Sequence, residues 1–284
     1  MDKGVAVVTG ASRGAGQGIA RALGAAGYTV YVTGRSQTPD ASPLGGTIHE
    51  TAAQVTEAGG RGIAFPCDHA DDDAVRDLFA TVARDEGRLD ILVNNAAAIS
   101  SDLIERGPFW TRPLRMADII TVGLRSSYIA AYAAAPLLVE KPGGLIVFTS
   151  APGAVNYAHG PAYGAQKAGT DKMSADMAVD LRPFGAASVS IWMGLLKTAR
   201  SAASMAEKPG QFDFLLPYME TPDFTGRLIV ALHRDPNLLN LSGHTLIGAE
   251  QAKEYGIVDL DGNSPLSLRP VVGGPFKYDD RIID

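Results

Sequence analysis

Length, composition and charge already limit what this chain can be. It has 284 residues, of which 46% are hydrophobic and 20% are charged, as is ordinary for a globular protein with a sizeable core. The net charge is −6 and no run of Lys and Arg occurs, which argues against nucleic acid as a partner because neutralising phosphates requires clustered cations.

The single cysteine and the apolar stretches indicate where the protein resides. Cys67 cannot form an internal disulfide, which favours a reducing compartment. Residues 1–4 run directly into the apolar Val5–Val8, a stretch too short for a signal peptide. The longest apolar helical stretch, residues 129–139, falls short of the roughly 20 residues that a membrane span needs. We therefore expect a cytoplasmic protein that does not enter a membrane.

Short β-branched runs alternate with longer Ala-rich segments, which is typical of βαβ units around a parallel sheet. Strands are predicted near residues 5–9, 28–33, 62–66, 89–94, 143–149, 187–192 and 243–247. Helices are predicted near residues 15–26, 47–58, 71–86, 115–140, 162–182 and 222–233. No repeat or linker divides the chain. We predict an α/β protein with one domain over residues 1–284, a doubly wound Rossmann fold of about seven parallel strands with helices on both faces.

Three stretches interrupt the alternation, at residues 36–46, 97–113 and 195–222. The last two follow the fourth and sixth strands, and ligands bind beyond the carboxyl ends of the strands in open α/β sheets. The segment 195–222 is rich in apolar side chains, including Phe212, which predicts a substrate lid; an interface or a satellite core is the alternative. Residues 250–284 are predicted to form a C-terminal extension.

A glycine-rich turn, residues 9–16, follows the first predicted strand and opens the first helix. Its glycines allow a sharp turn, the approach of a pyrophosphate and close packing of the helix, whose positive N-terminus faces the anion. A mere strand-to-helix turn is the alternative. The dinucleotide contacts predicted here come from Gly10, Ser12, Arg13, Gly14, Ala15 and Gly16.

The end of the second strand favours NADP(H) over NAD(H). NAD enzymes usually place an acid near this point to bind the ribose 2′-hydroxyl, and no Asp or Glu occurs between residues 27 and 39. Arg35 ends this strand and could hold a 2′-phosphate together with Arg13 through charge-assisted hydrogen bonds. The alternative is that both arginines are solvated surface charges.

A serine, a tyrosine and a lysine form the predicted catalytic group. The fifth strand ends at Ser150, and Tyr163 and Lys167 follow at positions i and i+4 of a helix, on one face. A lysine cation about 5 Å away, at an effective dielectric near 20, favours phenolate by about 3 kcal/mol, or roughly two pKa units. Ser150 can then hold the substrate oxygen while Tyr163 transfers the proton. A tyrosine beside an exposed lysine is the alternative.

Taken in this order, these features resemble the short-chain dehydrogenase/reductase family, from about residue 4 to residue 250. Residues 94–97, Asn-Asn-Ala-Ala, match the family's Asn-Asn-Ala-Gly. Residues 193–198, Met-Gly-Leu-Leu-Lys-Thr, match Pro-Gly-x-x-x-Thr. The resemblance implies that Thr198 holds the nicotinamide carboxamide. It implies further cofactor contacts from Asp68, Asn95, Ala96, Ala97, Tyr163, Lys167, Gly194 and Leu196.

The clearest departure from this family is Gly123. Most relatives have an asparagine here, a fourth catalytic residue that anchors a water in the proton relay. A glycine can still open the helix for a water, since helix kinks often occur at glycine. The segment around Gly123 and the tail 252–262 are similar to a subgroup of the family, that of dehydrogenase/reductase SDR family member 1.

Together these features predict an NADP(H)-dependent oxidoreductase that interconverts a carbonyl and a secondary alcohol on a hydrophobic small molecule. The family resemblance also implies a homodimer or homotetramer. No metal is expected, because His49, His69, His159, His233 and His244 show no metal-ligand spacing. Two alternatives stay open. One is a catalytically weak NADP(H)-binding regulator with the same fold, which Gly123 supports, and the other is a structural subunit without cofactor.

Overall fold

The predicted sheet is present in the computed structural model, which describes residues 4–105, 107–207, 210 and 213–283. Seven strands lie in the order β3-β2-β1-β4-β5-β6-β9, and every neighbouring pair is parallel. A separate two-stranded ladder joins β7 to β8. The strands are β1 Val5–Val8, β2 Thr29–Gly34, β3 Arg61–Pro66, β4 Ile91–Asn94, β5 Leu145–Ser150, β6 Ala187–Trp192, β7 Leu195–Leu196, β8 Met219–Glu220 and β9 Thr245–Ile247.

Helices cover both faces of this sheet. They are α1 Gly14–Ala25, α2 Ile48–Glu57, α3 Asp72–Glu86, α4 Asp118–Ile120, α5 Ser126–Leu138, α6 Pro161–Leu181, α7 Ala199–Glu207, α8 Pro222–Arg234, α9 Gly248–Glu254 and α10 Arg269–Val272. Successive residues of β1 point to opposite faces, so Ala6 and Val8 pack with α1, α2 and α8, while Val5 and Val7 pack with α3 and α5. The predicted doubly wound fold is confirmed.

The chain reverses its direction of travel across the sheet at β1. From β1 it proceeds outward through β2 to β3, and it then returns to β4 on the other side of β1. Ligands bind outside the carboxyl ends of the strands at such a point. The glycine-rich turn and the ends of β4, β5 and β6 therefore lie along one edge of the sheet.

The predicted helix over residues 115–140 is wrong in one respect, because it is interrupted. A wide π-type turn, Thr121–Arg125, separates α4 from α5. Inside it Val122 (φ −106°, ψ 87°) and Gly123 (φ 155°, ψ −42°) leave helical geometry. The apolar pattern continues across the break, but a residue without a Cβ adopts this positive φ far more easily than any other.

The segment 195–222 begins and ends at the β7–β8 ladder, where Leu195 pairs with Met219 and Leu196 with Glu220. Between them lie α7 and a 3-10 turn, Asp213–Tyr218. Phe212 lies outside the described residues, whereas Phe214 and Leu216 expose apolar side chains. The ladder ties the two ends of this segment together beside the end of β6, as a lid requires, and the lid stays a prediction.

None of the helices in the described part of the chain is both long and apolar enough to cross a membrane.

Candidate active site

The glycine-rich turn has the backbone that an anion site needs. Gly10 has φ 64°, and a Cβ there would lie 2.7 Å from Cα of Ala96 in the turn after β4. A Cβ on Gly16 would lie 2.5 Å from the Gly10 carbonyl oxygen, so α1 packs against the turn only because Gly16 is small. Arg13 at the N-cap makes no side-chain capping hydrogen bond, which leaves the first N–H groups of α1 available to an anion.

Asn95 fixes this turn from the end of β4. Its Nδ2 donates to the carbonyl oxygens of Thr9 (2.9 Å) and Gly10 (3.0 Å). The Thr9 hydroxyl in turn accepts from the backbone N–H groups of Asn95 (2.8 Å) and Ala96 (2.9 Å). The side chain of Asn95 therefore holds the turn in place, and Ala96 and Ala97 follow it along the same edge of the sheet.

Asn94 is a site residue that the sequence did not single out except as part of the four-residue motif. It ends β4, and both polar atoms of its buried side chain have no hydrogen-bond partner within the described ranges. Buried amides are nearly always hydrogen-bonded, and an unsatisfied one requires an explanation. Asn94 lies beside β1, where the chain reverses its direction across the sheet, and a ligand bound there would supply the missing hydrogen-bond partner.

The two predicted phosphate-binding arginines lie in different surroundings at the end of β2. Arg13 donates from Nε to the Gly45 carbonyl oxygen (2.6 Å) and from Nη2 to the Ser36 hydroxyl (2.7 Å). The Arg35 side chain is 73% exposed, and its Nη1 lies 3.9 Å from the Asp68 carboxylate. Arg13 therefore has a fixed position, and Asp68 accepts from the backbone N–H of Ala70 at 3.0 Å, while the exposed Arg35 is free to adjust to a ligand.

The matched segment 193–198 leads from β6 into α7. The Thr198 hydroxyl accepts from the backbone N–H of Ser201 at 3.2 Å, and the Ser201 hydroxyl donates to the Leu196 carbonyl oxygen at 2.6 Å. A Cβ on Gly194 would lie 2.6 Å from a carboxylate oxygen of Glu220, which the sequence did not single out. Burial raises the pKa of Glu220 to about 7. Short-range packing thus fixes the path of this segment past the sheet edge.

The structure brings the predicted catalytic residues together at the carboxyl ends of β5 and β6. Ser150 ends β5, and its fully buried hydroxyl has no hydrogen-bond partner in the described part of the chain. Tyr163 lies in the first turn of α6 and Lys167 in the next. The Lys167 ammonium lies 5.7 Å from the centre of the Tyr163 ring and donates to the Thr149 carbonyl oxygen at 3.1 Å.

Burial dominates the ionisation of this group. It raises the pKa of Tyr163 to about 12 and lowers the pKa of Lys167 to about 8, against the attraction of Asp171. The expectation that the lysine lowers the tyrosine pKa is therefore wrong, because desolvation of the phenolate outweighs the nearby cation. Across the neutral range Tyr163 is a phenol that holds a proton, as an acid must.

A histidine also borders the tyrosine. The His159 ring meets the Tyr163 ring edge-on, with centroids 5.0 Å apart and planes at 83°. Its carbonyl oxygen accepts from Arg112 at 2.8 Å, which links this loop to the segment after β4. The chain spacing alone does not show the ring contact, because the loop folds back over α6.

A neighbour of the predicted catalytic lysine packs against the break at Gly123. The Gly123 carbonyl oxygen accepts from the Ser127 hydroxyl (2.8 Å) and from Nε2 of Gln166 (3.2 Å). A Cβ on Gly123 would lie 3.2 Å from Cγ of Gln166. The opened turn thus places its carbonyl against α6, and the buried amide of Gln166 packs where a side chain at position 123 would begin.

This geometry predicts that Gly123 is required for stability. Both Gly123→Asn and Gly123→Val would force a side chain into a strained φ and against Gln166, so each is expected to lower the free energy of unfolding by about 1–3 kcal/mol. Chemical denaturation measures the loss. A matched control is Gly87→Asn, since Gly87 has a left-handed φ of 66° that asparagine tolerates and open space around it. If Gly123→Asn were as stable as the wild type, the explanation by packing and conformation would be wrong.

Comparisons with known proteins agree with this architecture. The family model described as short chain dehydrogenase matches residues 4–209. The chain is 40% identical to dehydrogenase/reductase SDR family member 1 of Mus musculus over 269 residues, which is 91% of this chain and 83% of the mouse protein. It is also 40% identical to the Homo sapiens protein of that name over 273 residues, 92% of this chain and 85% of the human one.

A solved structure shows the same fold at lower identity. The short chain dehydrogenase from Mycobacterium thermoresistibile superposes with a TM-score of 0.75 at 27% identity, covering 93% of this chain and 92% of the other. The parallel sheet, the glycine-rich turn and the group at the end of β5 are thus accompanied by similarity along nearly the whole length. The chain belongs to the short-chain dehydrogenase/reductase family of oxidoreductases.

Proposed function

We propose that the protein uses NADP(H) to interconvert a carbonyl and a secondary alcohol on a hydrophobic small molecule, with Tyr163 as the proton donor. The observation that carries this proposal is the buried Ser150 hydroxyl, which lacks a partner in the described part of the chain. It ends β5 beside the helix that presents Tyr163 and Lys167. A substrate oxygen would supply the partner that Ser150 lacks.

Each residue of this group has a distinct part in the proposed reaction. Ser150 donates a hydrogen bond to the carbonyl oxygen and so orients it. Tyr163 donates its proton to the same oxygen as negative charge develops there. The Lys167 ammonium stabilises the phenolate that is left behind, and the Thr149 carbonyl holds the ammonium in place. When bound, NADPH supplies the hydride.

The residues at the glycine-rich turn and at the end of β2 fit a dinucleotide with a 2′-phosphate. The pKa of Arg13 is lowered by burial first, and then by the positive charges of Arg200 and Arg35. Three arginines from three segments therefore lie within electrostatic reach of one another. A phosphate among them would relieve this repulsion, and Arg side chains bind phosphate oxygens in pairs.

The cofactor preference gives a direct prediction. NADPH is expected to bind at least tenfold more tightly than NADH, a difference of about 1.4 kcal/mol. Arg35→Ala is expected to remove most of that difference and to leave NADH binding unchanged, because only the 2′-phosphate distinguishes the two nucleotides. Calorimetry on both nucleotides measures the effect, and the exposed Arg76 of α3 provides the control variant, Arg76→Ala. Equal affinities for the two nucleotides would end the NADP(H) assignment and leave the fold intact.

An apolar cleft supports a hydrophobic substrate. It lies between the ends of the sheet and the C-terminal extension, and its walls include Pro152, Met193, Leu266, Leu268 and Val272. Nδ2 of Asn156, in the loop after β5, donates to the Val272 carbonyl oxygen at 2.6 Å and ties the extension to this loop. The cleft has a volume of about 10 Å³, which is room for one water, so its apolar walls favour a hydrophobic substrate only where the C-terminal extension moves aside to admit it.

Steady NADPH consumption with a panel of ketones and aldehydes tests the proposed activity. Consumption is expected to be faster with apolar carbonyl compounds than with charged ones of similar size. NADPH that stabilises the protein without being consumed would instead favour the regulator. A thermal stability that NADPH leaves unchanged would favour a subunit without cofactor, since a ligand at 100 times its dissociation constant adds about 2.7 kcal/mol.

A further inference from the structure

A buried carboxylate lies one helical turn beyond the proposed catalytic lysine. Tyr163, Lys167 and Asp171 occupy positions i, i+4 and i+8 of α6 and so share a face of the helix. Asp171 is only 2% exposed. Nothing in the sequence pattern marks this residue, because an aspartate in the third turn of a helix is most often a solvated charge.

Both oxygens of this carboxylate are held by β6. Oδ1 accepts from the Ser190 hydroxyl at 2.6 Å, and Oδ2 accepts from the Trp192 indole N–H at 2.8 Å. Trp192 pairs in register with Ser150 on β5, which places Asp171 beneath the end of that strand. Burial raises the pKa of Asp171, and the hydrogen bonds from β6, the nearby Ser150 hydroxyl and the Lys167 ammonium act in the opposite direction.

The groups that face Asp171 come from the sheet, from α6 and from the C-terminal extension. β5 and β6 present only the neutral Ser150, Ser190 and Trp192, whereas α6 presents the Lys167 ammonium. The C-terminal extension presents Tyr278, whose pKa is raised by burial and then by Asp171, which favours the neutral phenol. Lys167 is therefore the cation that acts on Asp171, and the two buried groups attract each other across one helical turn.

We propose that Asp171 is a positioning residue of the active site, whose carboxylate keeps Lys167 an ammonium in a site that strongly disfavours a charge. A buried lysine without an opposite charge loses its proton readily. The hydrogen bonds from β6 fix the carboxylate, so its field at Lys167 is constant. In the proposed reaction the Lys167 ammonium stabilises the Tyr163 phenolate. The effect of Asp171 on catalysis therefore rests on the proposed function. The effect of Asp171 on the protonation of Lys167 does not depend on the proposed function.

Asp171→Asn tests the electrostatic part directly. The amide has the shape of the carboxylate and can still accept from Trp192, but it carries no charge. The pKa of Lys167, followed by NMR of protein labelled at the lysine side chains and assigned with Lys167→Met, is expected to fall by at least about one unit. Asp176→Asn on the exposed face of the same helix is the matched control, and it is expected to leave that pKa unchanged.

Activity provides the second readout. Between pH 6 and pH 9 the turnover of Asp171→Asn should decline at a pH at least about one unit lower than in the wild type, because the fraction of protonated Lys167 falls sooner. A purely structural Asp171 would instead lower the melting temperature and leave both the Lys167 titration and the shape of the pH profile unchanged, which would overturn the proposal.

Two further outcomes separate the claims. Should the Asn variant not fold, Asp171→Ser, which is neutral and smaller, allows the same titration. A shifted Lys167 pKa in a protein that reduces no carbonyl compound would uphold the electrostatic role of Asp171 and contradict the proposed function instead. A Lys167 pKa that does not shift, in an enzyme that reduces carbonyl compounds, would contradict the proposed role of Asp171 and uphold the proposed function.

Discussion

Tyr163→Phe is expected to lower turnover by at least 10²-fold, roughly the typical contribution of general acid catalysis. The substitution removes one hydroxyl and keeps the ring, which packs against His159 and lies beside the Lys167 ammonium. Because burial keeps the Tyr163 hydroxyl protonated up to a pKa of about 12, the wild type has this proton available throughout the neutral range. The measurement is turnover with NADPH and a ketone that the wild type reduces.

The control for this variant is chosen from the same loop region. Tyr157 is exposed and lies between Ser150 and Tyr163 in the chain, so Tyr157→Phe should leave turnover within about twofold of the wild type. NADPH affinity should be nearly unchanged in both variants, as calorimetry will show. Near-normal turnover in Tyr163→Phe would contradict the mechanism proposed here.

Replacing Lys167 is expected to damage catalysis while stabilising the fold. Lys167→Met should lose turnover and bind NADPH more weakly, since Lys167 is also one of the proposed cofactor contacts. Yet burial lowers the pKa of Lys167 from 10.5 to about 8, which corresponds to about 3 kcal/mol in favour of the neutral form. At pH 7 the buried ammonium therefore costs stability. Lys167→Met leaves Asp171 without its counter-charge, but burial already raises the pKa of Asp171, so we expect this carboxyl to take up a proton and the variant to have the higher melting temperature.

The pH dependence of this stability difference has a definite sign. Between about pH 8 and pH 10.5 the unfolded chain holds the Lys167 proton and the folded protein has released it, so wild-type stability rises with pH in this window. Lys167→Met lacks the effect, and its advantage should shrink as the pH rises. Lys172→Met, on the exposed face of the same helix, should show no such trend. A constant difference across this window would contradict the lowered pKa.

The sheet and most of the candidate site could be predicted from local sequence signals. Apolar runs bounded by glycine mark the strands, and the end of β5 at Ser150 follows from where such a run stops. A glycine-rich turn after a strand implies the geometry that Gly10 adopts. Tyr163 and Lys167 face the same way because a helix repeats about every 3.6 residues. Each of these signals lies within a few residues of the feature that it predicts.

What could not be predicted depends on contacts between distant segments. The break at Val122 and Gly123 leaves the apolar pattern unchanged, so periodicity predicts one helix across it. The pKa of Tyr163 depends on how deeply α6 and the loop after β5 bury the ring. Asp171 acquires its role from Ser190 and Trp192, about twenty residues away on a neighbouring strand. Neither composition nor spacing reports such burial.

In the proposed reaction, one carbonyl group receives a hydride from NADPH and a proton from Tyr163. A single-turnover experiment with NADPH deuterated at the nicotinamide C4 position tests it most directly, with the alcohol product followed by mass spectrometry. For the wild type and an apolar ketone, we predict one deuterated alcohol for each NADPH consumed, and a rate at least 10²-fold lower in Tyr163→Phe. A wild-type protein that binds NADPH tightly and forms no deuterated alcohol from any carbonyl compound of the panel would rule out this reaction.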